Sequence, residues 1–62
     1  MPSPRRFAIA PIDGHISDIF LDQAEAETEA MILSVILNGA RINVLTESVH
    51  SKKWRVIQQI FA

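Results

Sequence analysis

The sequence predicts an α+β fold of order ββαββ: a four-stranded, mainly antiparallel sheet with one helix packed on one face. Three observations carry this reading. Asp13-Gly14 lies between two apolar stretches and signals a hairpin. Asp22 with Glu25 three residues later marks a helix start, and Asn38-Gly39 marks its stop. Two β-rich stretches then follow, separated by the polar run His50-Ser51-Lys52-Lys53. Two hairpins bracketing one helix suit a single sheet with the helix on one side.

The elements follow in order. Met1-Pro2-Ser3-Pro4 with Arg5 is expected to be a flexible lead-in, because proline cannot join a ladder or a helix interior. Residues 6–62 then form a single domain. Arg6 to Ile12 reads as the first strand and Ile16 to about Leu21 as the second, with the turn at Asp13-Gly14 between them. Pro11 has no N–H to donate, so its strand should lie at an edge or its nitrogen should face away from a partner. Asp22 is a good N-cap, and the acids Glu25, Glu27 and Glu29 suit the start of a helix dipole. The helix is expected over about 23–38. Ile42 to Val49 reads as the third strand and Trp54 to Phe61 as the fourth, the latter carrying Trp54, Val56 and Ile60 on one face and Ile57 and Phe61 on the other.

A chain of 62 residues buries only about 60% of the surface its unfolded form exposes. Its core can supply little more than ~3–5 kcal/mol net, so a small domain usually needs a supplement. There is no cysteine, which excludes disulfides and thiolate metal sites, and two histidines 35 residues apart make no metal site. Oligomerisation or partner binding is the supplement that remains. Apolar residues make up 48% of the chain, too many for a disordered one. The longest apolar run, Met31 to Leu37 interrupted by Ser34, is far shorter than the ~20 residues that span a bilayer. With no secretory signal pattern, cytoplasmic residence is expected.

Net charge is −1, so no global field draws the chain to nucleic acid or anionic lipid. The charge is divided, with −4 in residues 1–31 and +3 in residues 32–62. His15 and His50 are isolated, and neither a nucleophile elbow nor a zinc-protease or phosphate-loop spacing occurs. No catalytic residue, metal, cofactor or small-molecule substrate is expected.

At about 100° per residue the helix shows two apolar stripes. Ala24, Thr28, Met31, Ile32, Val35 and Ile36 form the broader one, expected to cover the sheet. Ala26, Ala30, Leu33 and Leu37 lie opposite and are expected to form a partner or homodimer interface. The expected function is therefore that of a small interaction protein acting by surface binding: an adaptor, regulator or inhibitor, a phage-type blocker of a nucleic-acid-handling machine among them. The alternative is nucleic-acid binding through Lys52, Lys53, Trp54 and Arg55, where clustered cations flank an aromatic ring.

Overall fold

A computed structural model describes residues 5–62; apart from Arg5, the expected lead-in lies outside them. The elements are β1 (Phe7–Pro11), β2 (Asp18–Phe20), α1 (Gln23–Ile36), β3 (Ile42–Glu47) and β4 (Trp54–Ile60). The strands form one sheet in the order β2-β1-β3-β4, antiparallel at every pairing. Helix α1 packs on one face, so the chain has the α+β fold its sequence predicts.

Pro11 explains the shape of the first hairpin. β1 is central rather than an edge, paired with β3 through Pro11↔Ile42. The Ile12 N–H donates to the Arg41 carbonyl at 3.2 Å. By strand alternation the Pro11 nitrogen then faces the other neighbour, β2. It has no hydrogen to offer there, and the β1–β2 ladder stops at Ile9↔Asp18. Beyond it the chain makes a wide loop, in which the Gly14 N–H donates to the Pro11 carbonyl at 2.9 Å and the Ser17 N–H to the Ile9 carbonyl at 2.8 Å. The turn is where Asp13-Gly14 puts it, but β2 shrinks to three residues instead of running from Ile16 to Leu21.

The Asp22 side chain caps α1 by accepting the Ala24 N–H at 3.2 Å. At the other end Asn38 and Gly39 both take left-handed backbone, with φ of 60° and 84°. The Gly39 N–H donates to the Ser34 carbonyl at 2.7 Å and closes the last turn. Because Asn38 itself is left-handed, the helix ends at Ile36, two residues before the expected Asn38.

The β3–β4 register contains a bulge: Val44 pairs with Gln58 and Leu45 with Val56, leaving Ile57 as an extra residue. Directly opposed residues share a face. Ile60, opposite Ile42, therefore lies on the helix side, whereas Val56 and Trp54, opposite Leu45 and Glu47, lie on the open side. The expected grouping of Trp54, Val56 and Ile60 is corrected by that one inserted residue.

The core lies between α1 and the sheet. Ile9, Ile42 and Val44 are buried, with Phe7, Phe20 and Ile60 packed around them. From the helix come Ala26 and Ala30, both at 0% exposure, and the part-buried Leu33. The helix is thus turned the opposite way from expectation. The stripe assigned to a partner is the one that meets the sheet, and Met31, Ile32, Val35 and Ile36 face outward. The large strand side chains fill the layer by themselves, so the helix must approach with small residues. Ser34, fully buried on the same side, donates its hydroxyl to the Ala40 carbonyl at 2.6 Å and fixes this rotation.

Candidate functional site

Two surfaces stand out. The first is the outer stripe of α1. Met31 is 43% exposed, Ile32 47%, Val35 61% and Ile36 67%. Their spacing is that of one helix face. Beside them, between α1 and the short β2, a groove of about 190 Å³ is lined by Ile32, Leu33 and Ile36 on one side and by Ser17, Asp18 and Glu29 at its rim, and it reaches down to Ile9. The three residues of β2 are too few to cover this flank of the helix, which is why the groove exists. Of the residues expected at an interface, Ala26, Ala30 and Leu33 belong to the core or its margin, and only Leu37, at the helix C-cap, remains exposed.

The exposed apolar surface is large for the core beneath it. Among the described residues thirteen large hydrophobic residues are exposed, whereas Ile9, Ile42 and Val44 are the only large apolar side chains fully buried. The sheet face opposite α1 adds Ile19 and Val56 to this, aligned across the strands with the part-buried Leu45 and the buried Ala8, and no second helix covers them among the described residues.

The second surface is the end of the β3–β4 hairpin. The Ser48 N–H donates to the Lys53 carbonyl and the Lys52 N–H to the Ser48 carbonyl, each at 2.9 Å, and Lys52 takes a left-handed φ of 60°. This tight turn brings Lys53, Trp54 and Arg55 around a hollow of about 440 Å³, which Arg5 and His50 also line. Lys52 lies beside it on the same turn. Glu47 is the one carboxylate in the lining, and it is already engaged. Arg6 Nε donates to Glu47 Oε1 at 3.0 Å, and a second guanidinium nitrogen pairs with Oε2. The hydrogen bond from Arg6 holds the Glu47 carboxyl below the ordinary carboxylate range. Partial desolvation opposes it, and the charges of Arg6 and Lys52 support it. The same guanidinium stands 5.6 Å from the centre of the Trp54 ring.

Of the nucleic-acid contacts expected from sequence, Lys53, Trp54 and Arg55 therefore border one hollow, but they are not brought onto one face: Trp54, opposite Glu47, lies on the open side, and Arg55, opposite Thr46, on the helix side. Arg5, far away in sequence, joins them because β1 runs beside β3. Arg41 does not: it lies at the other end of β3, its guanidinium 5.6 Å from the Phe61 ring. His15 sits in the exposed β1–β2 loop with no hydrogen-bond partner among the described residues. No group of three or more potential metal ligands occurs among the described residues, and no helix there is long and apolar enough to cross a membrane. Comparison with family models, with curated proteins and with solved structures finds no match.

Proposed function

We propose that this chain is a protein–protein interaction module, an adaptor, regulator or inhibitor that acts by surface binding and not by catalysis. The supporting observation is the outward stripe Met31, Ile32, Val35 and Ile36 on a fold whose own core is so small. Fully burying one such side chain contributes about 1.5–3 kcal/mol. Four of them on one face offer more than the net stability of about 3–5 kcal/mol that a chain of this size can draw from its interior. A contiguous exposed apolar face of this kind marks interaction sites in soluble proteins.

The leading version is a homodimer in which two α1 helices meet across a two-fold axis. Such a contact uses the same patch on both chains, so a single stripe suffices. A heterologous partner would use the same stripe and anchor a side chain in the α1–β2 groove beside it.

The test is the oligomeric state. Light scattering at high micromolar concentration should give twice the chain mass. The double variant Ile32→Glu, Val35→Glu should give a folded monomer, since both positions face away from the sheet. A monomeric wild type removes the homodimer. Partner capture from cell extract that is identical for wild type and double variant would remove the stripe as the docking surface altogether.

A further inference from the structure

On the reading of α1 as a docking face, we propose that the groove between α1 and β2 seats one arginine side chain of a heterologous partner protein, its stem along Ile32, Leu33 and Ile36 and its guanidinium at Asp18 and Glu29. The form of the groove limits what can enter. Its floor reaches Ile9, which is 2% exposed, and its α1 wall is aliphatic. Its volume of about 190 Å³ lies below the range of about 300–1,000 Å³ in which sites for free small molecules fall. A space of this size admits a single side chain.

Charge at the mouth selects which side chain. Asp18 lies opposite Ile9 in the ladder, so it stands on the helix side of the sheet. Glu29 projects from the β2 flank of α1, three residues before Ile32 and on the same face. Neither carboxylate is in an ion pair among the described residues, where Arg6–Glu47 is the one pair formed. A purely aliphatic side chain would leave both acids unanswered, and they repel nucleic acid and anionic lipid. Arginine answers the slot and its mouth together, because its stem packs on apolar surface while its charged head stays at the rim. It suits the site better than lysine, since its planar fork gives paired donors to a carboxylate and is more weakly hydrated.

The cation comes from a different protein. From Phe7 to Ala40 the chain has no lysine or arginine. Arg41, the first cation beyond the helix, lies over the Phe61 ring. Two α1 helices meeting across a two-fold axis therefore bring no cation to either groove. Met31 and Val35 lie on the flank of the stripe away from Ile32 and Ile36, so a helix contact centred on them leaves the groove open.

The probe is a short blocked peptide with one arginine between leucines. Its counterpart carries citrulline, which keeps the shape and removes the charge. Amide chemical shifts of the isotope-labelled protein are followed during titration. The arginine peptide should shift Asp18, Glu29, Ile32, Leu33 and Ile36 and saturate. Each exposed carboxylate–cation pair contributes up to roughly fivefold in affinity, so Asp18→Asn with Glu29→Gln should weaken binding about tenfold. The same variant should bind the citrulline peptide as wild type does. Ile36→Ser, at an exposed position, should weaken both peptides. Asp13→Asn with Glu27→Gln removes the same charge outside the groove and should bind the arginine peptide as wild type does.

Four results would overturn the proposal. Equal affinity for the two peptides, or no binding of either, would deny the acids a role. Equal loss in the two acid variants would make the effect one of net charge. Displacement of the peptide by putrescine at equal concentration would assign the groove to a free diamine. A fall from dimer to monomer in the Asp18/Glu29 variant, seen by light scattering, would give the groove to a second copy. A monomeric wild type that binds the arginine peptide as expected sinks the homodimer alone, and a dimer that binds neither peptide sinks the groove alone.

Discussion

Ser34 and Ala62 are joined across the fold: the Ala62 N–H donates to Ser34 Oγ at 2.9 Å, while the same hydroxyl donates to the Ala40 carbonyl at 2.6 Å. One buried hydroxyl thus ties the last turn of α1 both to the segment leading into β3 and to the residues after β4. Ser34→Ala removes one partner from each bond and leaves a backbone N–H and a carbonyl unpaired. A loss of about 1–3 kcal/mol is expected. Urea denaturation measures it, and an unchanged midpoint would show that water replaces the hydroxyl at no cost.

The helix start depends on Asp22. Its carboxylate accepts the Ala24 N–H, and Asp22→Ala should cost about 0.5–2 kcal/mol. Asp22→Asn should restore most of that, because asparagine caps nearly as well. Equal loss in both variants would point to the charge rather than the cap.

Helix rotation can be read by substitution. Ala30→Leu forces three extra carbons between α1 and the sheet, where Ala30 is fully buried, and should cost about 1–3 kcal/mol. Met31→Gln, on the outer stripe, should change stability at low micromolar concentration by no more than about 0.5 kcal/mol. The reverse ranking would place the broader stripe against the sheet.

The Arg6–Glu47 pair predicts an acid limb. The carboxyl of Glu47 is held below its unfolded value, near 4.3, so its contribution is complete above that pH. It disappears as pH falls through the lower folded value, because the unfolded chain takes up the proton first. Glu47→Gln should lower stability at neutral pH and flatten this part of the stability–pH profile. A profile between about pH 2 and 5 that is the same in both proteins would mean the pair adds nothing.

Legibility from sequence followed the range of each interaction. The Asp22 cap, the Asn38-Gly39 stop and the Asp13-Gly14 turn are local, and each appears where its residues place it. The helix face was not legible. Two apolar stripes were visible, and choosing between them required the volume of the side chains the sheet would present, which depends on pairing between distant strands. Hydrophobicity favoured the stripe with isoleucine and valine, whereas Phe7, Ile9, Phe20 and Ile60 left room mainly for small residues, Ala26, Ala30 and Ser34, with Leu33 at the margin. The hairpin cations were legible as a cluster because they are consecutive. Arg5 and the masking of Glu47 by Arg6 were not, since each is a contact across more than 40 residues.

The extra residue in β4 gives that strand two phases. On one side of Ile57 the odd positions and the even ones exchange their roles as inside and outside. A deletion of Ile57 is therefore a repair and not a rewiring. With Gln58 kept opposite Val44, Val56 still meets Leu45 and Trp54 still meets Glu47, so every remaining residue of β4 keeps its side while the strand loses its bulge and the added twist. Keeping Ile57 but forcing it into the ladder opposite Leu45 does the reverse: Val56 and Trp54 move to the helix side. A single residue thus holds the indole on the open face, and its emission wavelength should be the same in the deletion variant as in the wild type.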